Sequence, residues 1–255
     1  MGDLDLSMLL FLVISGFIAA FIDSVVGGGG LISIPVLLAT GLPPAVALGT
    51  NKLASTLASL TSTISFMKSG KISVKLVLYL IPLSFIGSIS GAYIVKQIPS
   101  EFLKPMIVVL LIIVTIFTLF KKNWGQSSTY QGLSWKSGIF IALAALLIGF
   151  YDGFLGGGTG SFLLFSFLLI GFDFVQAAGN SKVLNFTSNI AALGMFIYLG
   201  QVNYIYGITM GISMIIGAWI GSNMAIKKGS SYVKILFVTM TVILISKQVW
   251  DLIHV

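Results

Sequence analysis

Cysteine is absent from the 255 residues and histidine occurs once, at His254. Disulfides, thiol catalysis and thiolate metal sites are therefore excluded, and no imidazole is placed to serve a catalytic centre. Charge is also scarce: 8% of residues are Asp, Glu, Lys or Arg against 57% hydrophobic, and the mean hydropathy is +1.07. Apart from Asp23, no charged residue lies between Leu6 and Asn51, and none lies between Val183 and Ile226. Since about 20 apolar residues cross a bilayer as a helix, the chain reads as an all-α polytopic membrane protein. The acids of Met1–Asp5 stand where a secretory leader would be basic, so the first apolar run is expected to be retained. A net charge of +7 would suggest nucleic acid as the partner of a soluble protein. Lysines at membrane edges explain it here, so the expected surroundings are a lipid bilayer and no nucleic acid.

What is present comes twice. Asp23-Ser-Val-Val-Gly27-Gly28-Gly29-Gly30 is followed by Gly49-Thr50-Asn51-Lys52, and Asp152-Gly-Phe-Leu-Gly156-Gly157-Gly158-Thr159-Gly160 by Gly179-Asn180-Ser181-Lys182. Lys52 and Lys182 are 130 positions apart, as are Gly70 and Gly200, Gly87 and Gly217, and Gly91 and Gly221. The spacing indicates a duplicated membrane unit: a first repeat over 1–122, a linker loop over 123–134 rich in small and polar residues, and a second repeat over 135–255.

Each repeat divides into five helical pieces. The first spans Ser7–Val26, Leu31–Thr40, Ala45–Met67, Ile72–Val95 and Phe102–Phe120; the second spans Trp135–Leu155, Ser161–Ile170, Phe174–Leu199, Asn203–Ile226 and Tyr232–Val249. The piece after each glycine run is half-length, roughly 15 Å as a helix. Either all five pieces cross, or the first two form a re-entrant hairpin; the sequence leaves both open. With an odd number of crossings per repeat, one face collects Lys68, Lys71, Lys75, Lys121, Lys122, Lys136, Lys227, Lys228 and Lys234, against Lys96, Lys104 and Lys247 on the other. Cytoplasmic loops favour lysine, which predicts inverted repeats in the cell inner membrane with both termini outside.

A glycine run at membrane depth lets the backbone turn sharply and aim successive N–H groups into one concavity, and a helix starting there adds its dipole. Gly27, Gly28, Gly29 and Gly30, with Gly156, Gly157, Gly158, Thr159 and Gly160, are thus candidate binding loops for a small anion. Lys52 and Lys182 would supply charge, with Thr50, Asn51, Asn180 and Ser181 as hydrogen-bonding neighbours. Ser55 and Ser59 follow Lys52 on one helical face, and Asn185 and Asn189 follow Lys182 at the same offsets. Such a stripe suits a cavity lining better than a lipid face. Asp23 and Asp152 have two competing roles: a permanent bridge to the lysine of their own half, or a titrating group that couples protons to anion movement. The Gly-x-x-x-Gly pairs at Gly87 and Gly217 suit close helix packing, within one chain or across a homodimer.

These residues resemble the TauE/SafE family of membrane permeases, the sulfite exporter and organosulfonate transporter family. The resemblance rests on Asp23–Leu38, Ala47–Lys52, Asp152–Leu164, Ala178–Lys182 and the duplicated layout. It implies transport of small anions, particularly sulfite, organosulfonates or related sulfur compounds. The copies differ at Pro35 and Leu164, and at Thr50-Asn51 and Asn180-Ser181, which implies an asymmetric site. The leading expectation is a secondary transporter, not an enzyme, alternating access to a midplane site between the repeats, with no cofactor or metal. A cation transporter using Asp23 and Asp152 is the alternative. An intramembrane enzyme ranks last, because a serine nucleophile would lack an identifiable base.

Overall fold

The computed structural model describes residues 6–95, 97–99 and 126–253, all of whose regular structure is helical. The expected piece Phe102–Phe120, the join at 122/123, Lys96, Lys104, Lys121, Lys122 and His254 lie outside the described residues. The first half of the chain contains α1 (Leu6–Val26), α2 (Gly30–Ala39), α3 (Pro44–Lys68) and α4 (Val74–Val95). The second half contains α5 (Trp135–Phe154), α6 (Thr159–Leu169), α7 (Phe174–Tyr198) and α8 (Tyr204–Ile253). The two last expected pieces join in α8, whose helical path is broken only at Gly229, with φ 75° and ψ −170°. Without a Cβ, glycine enters that conformation at little cost.

Among the described residues, four segments are long and apolar enough to cross a membrane: α1, α4, α5 and Tyr204–Leu236 of α8. At 10 and 11 residues, α2 and α6 reach about 15–17 Å, half the ~30 Å hydrocarbon core. They return from the glycine turns as the short arms of hairpins. Helices α3 and α7, each of 25 residues, are central and largely buried. Their serines, threonines and asparagines dilute the apolar signal that outer helices must show. A helix shielded by other helices needs no lipid-compatible surface.

Packing rests on small residues, as expected where lipid removes most of the hydrophobic drive for helix association. A Cβ at Gly91 would strike the carbonyl of Phe150, and one at Gly221 would lie 2.5 Å from the carbonyl of Phe21; Gly87 and Gly217 meet the carbonyls of Leu146 and Phe17. The Gly-x-x-x-Gly pairs therefore serve contacts within this chain, α4 on α5 and α8 on α1. These contacts are exchanged between the halves: the last described helix of each lies on the first helix of the other. Gly91→Ala is expected to lower the unfolding temperature of purified protein by several degrees, about 1–3 kcal/mol of overpacking.

Loops follow the same exchange. The Lys71 carbonyl, just after α3, packs against Gly179 near the start of α7, while the Gln201 carbonyl, just after α7, packs against Gly49 near the start of α3. Thus α3 and α7 run antiparallel. Two side chains secure these junctions: Thr50 Oγ1 accepts from Asn203 N at 2.9 Å, and Asn180 Oδ1 accepts from Ser73 N at 2.8 Å. Residues 126–134 lie along the α6–α7 turn. There Thr129 N donates to the Gly171 carbonyl at 2.7 Å and Tyr130 stacks on Phe172 at 4.1 Å. Asp173 caps α7 by accepting from Val175 N and Gln176 N, and Ser134 and Ser137 form a capping box for α5.

Candidate functional site

The two glycine turns meet. A Cβ on Gly27 would collide with Ser161 N and stand 2.6 Å from Gly160 Cα, and one on Gly30 would lie 2.9 Å from the Gly156 carbonyl. Backbones touch at distances no larger residue allows. Ser161 adds a tie by donating its hydroxyl to the Val26 carbonyl at 3.0 Å, and Tyr151 OH donates to the Gly157 carbonyl at 2.6 Å. Positive φ at Gly27, Gly28, Gly156 and Gly158 makes each turn. The chain can reverse there because glycine alone occupies that region freely.

Lys52 and Lys182 occupy the ninth positions of α3 and α7; Lys52 reaches the glycine turn of the other half, and Lys182 reaches the place where its own half's turn meets the carboxylate of Asp23. A Cβ on Gly156 would lie 2.5 Å from Lys52 Nζ, and one on Gly160 would lie 3.3 Å from Lys182 Nζ. Their acid partners are exchanged. Lys52 pairs with Asp152 at 2.9 Å and Lys182 with Asp23 at 2.6 Å, correcting the expected bridge within each half. The reason is topological: the two glycine turns meet between the inner helices, and the carboxylate that each lysine reaches there lies in the other half of the chain.

The first pair is deeply buried, with both side chains 1% exposed. Asp152 Oδ2 accepts a hydrogen bond from the Ser188 hydroxyl, and Lys52 also donates to Asn189 Oδ1 at 3.3 Å. Asn189 is oriented by donating to the Asn185 carbonyl at 2.7 Å. The second pair is more open, Asp23 being 19% exposed. Asp23 Oδ1 accepts from the Gly29 amide at 2.9 Å, so one main-chain N–H and one ammonium clasp a carboxylate at the glycine turn.

Several expected site residues are engaged elsewhere. Amides of Leu31, Ile32 and Ser33 donate to the carbonyls of Gly28 and Gly29, so the cradle is narrower than the number of glycines suggests. Thr50 and Asn180 tie loops, as described, and Asn51 Oδ1 accepts from Ser33 at 2.6 Å. Ser181 donates to the Ala178 carbonyl, Ser59 to the carbonyls of Ser55 and Thr56, and Thr159 to the Gly156 carbonyl. The asparagine nitrogen of Asn180 and Gln176 Oε1, one turn apart on α7, are buried with no hydrogen-bond partner among the described residues. Residues not anticipated are Ser33, Tyr151, Ser161 and Ser188. Ser188 was within reach of sequence reasoning, since it sits three positions after Asn185 on the stripe that begins at Lys182.

A helical membrane body in which broken helices meet around buried charge is the architecture of a membrane transporter. The model of the family described as Sulfite exporter TauE/SafE matches residues 12–247, and the chain belongs to that family. It is similar to a probable membrane transporter protein of Haemophilus influenzae, 36% identical over 98% of this chain and 97% of the relative. Similar matches are a probable membrane transporter protein of a Sinorhizobium species, 37% identical over 100% and 97%, and YfcA of Escherichia coli K12, another probable membrane transporter protein, 34% identical over 92% and 87%.

Proposed function

We propose that this chain is a secondary transporter of small anions, sulfite, organosulfonates or related sulfur compounds, which reach a midplane site between two inverted repeats by alternating access. The observation that carries the reading is the Asp23 carboxylate held by the Gly29 amide and the Lys182 ammonium. The protein's own anion occupies a cradle built for one, as helix starts and glycine turns generally favour negative charge. A sulfur oxyanion that displaced it would meet the same donors.

Charge balance favours proton coupling. Two lysines and two aspartates sum to zero, so an anion entering alone would leave a net negative charge in a medium of low dielectric. A proton taken by an aspartate as the anion arrives keeps the site neutral and releases the lysine. Both acids hold ammonium groups, which weighs against the cation reading. The exchanged loop contacts and the antiparallel α3 and α7 support the inverted arrangement. Lys68, Lys71 and Lys75 around the α3–α4 turn, with Lys227 and Lys228 beside the α8 break, support their shared cytoplasmic side in the inner membrane with external termini.

The reading is tested by thermal shift of detergent-purified protein against sulfite, thiosulfate, sulfoacetate, taurine and carboxylates. At about a hundred times its Kd, a bound anion adds roughly 2.7 kcal/mol to the folded state. The charge-neutral variant Asp23→Asn/Lys182→Gln is expected to unfold normally and to lose that shift. If it retains the full shift, the lysine is not part of the anion site.

A further inference from the structure

We infer that the two ion pairs have divided roles: Asp23–Lys182 opens during the transport cycle and delivers Lys182 to the anion, while Asp152–Lys52 stays closed and locks the halves together. The inference rests on the anion reading above and assigns the exchange to one of two sites that the duplication made equivalent.

The difference is carried by what surrounds each pair. Asp152 and Lys52 are each 1% exposed, and both have a second partner, Ser188 for the acid and Asn189 for the lysine. Ser188 is itself fixed, because Ser88 donates to its carbonyl at 2.5 Å. Separating such a pair would strand two charges away from water and break the network that orients them. Asp23 is 19% exposed and, among the described residues, has only the Gly29 amide besides Lys182. Water can reach it as it leaves the lysine.

The sequence encodes the same division. Counting back 130 positions, Ser188 corresponds to Ala58 and Asn189 to Ser59. Alanine has no hydroxyl to give an aspartate, and the Ser59 hydroxyl is spent on carbonyls of its own helix at 2.6 and 3.2 Å. The braces present at one pair are missing at the other.

The test labels purified wild-type protein with dicyclohexylcarbodiimide, which adds to accessible protonated carboxyls, and locates adducts by peptide mass spectrometry. The expected result is roughly tenfold more adduct on Asp23 than on Asp152, reflecting easier local opening. Equal labelling, labelling of Asp152 alone, or labelling of neither overturns the proposal. A second arm leaves every charge in place: Ala58→Ser/Ser59→Asn restores the missing braces. This variant is expected to elute and unfold like the wild type, with Asp23 labelling and uptake of radiolabelled sulfite into liposomes both reduced about tenfold. Unchanged Asp23 labelling in that variant counts against the division of roles. Asymmetric labelling in a protein that moves neither sulfite nor thiosulfate nor sulfoacetate would support the division while refuting the anion reading.

Discussion

Lys52→Met is expected to cost the folded protein about 3–5 kcal/mol, because it leaves the Asp152 carboxylate buried without its counter-charge. Most of that loss should return when Asp152→Leu is added, since two well-packed apolar residues often replace a buried pair at little cost. Adding Asp23→Asn to Lys52→Met should rescue nothing. The two double variants therefore discriminate pairing across the halves from pairing within a half. The measurement is monodisperse yield and unfolding temperature in detergent. Equal rescue by both second substitutions would contradict the exchanged arrangement seen at 2.9 and 2.6 Å. The burial of Lys52, 1% exposed, explains the size of the effect, because a solvent-exposed pair would contribute about 0–1 kcal/mol.

Gly27→Ala should be comparably severe. Its φ of 79° is one that alanine rarely adopts, and the added methyl would press on Ser161 N and on Gly160 Cα, the latter at 2.6 Å. Both neighbours are backbone and cannot rotate away, so the turns of the two halves must separate. We expect loss of uptake together with a lower unfolding temperature. Gly70→Ala is the matched control: φ is 68° there, and nothing lies within 4 Å of the new methyl. That substitution should cost only the left-handed conformation, about 1–2 kcal/mol. Identical behaviour of the two variants would mean that contact between the turns contributes nothing.

Much of this architecture was legible because membrane depth makes glycine clusters and charges expensive, so their recurrence at a fixed offset is a signal in itself. The expected bounds of α1 through α7 fell within two residues of those observed, since apolar runs end where Gly41-Leu-Pro-Pro or Gly171-Phe-Asp interrupts them. Partner choice was not legible. Helical periodicity shows which residues share a face, but not which other helix that face meets, and a duplicated chain offers each lysine two equivalent acids. For the same reason Thr50 and Asn180, placed in sequence reasoning at the head of a cavity, prove to fasten the loops at Asn203 and Ser73. A hydroxyl or amide beside a candidate ligand looks the same in sequence whether it faces the ligand or a neighbouring main chain.

The crosswise pairing bears on how the protein is made. When the ribosome has delivered α1 to α4, Asp23 and Lys52 are already made, yet their partners Lys182 and Asp152 still await synthesis. A newborn first half is thus an incomplete electrostatic object. It must shelter both groups in water, in the insertion machinery or against each other until its sibling arrives. The two ion pairs can therefore form only when the halves come together.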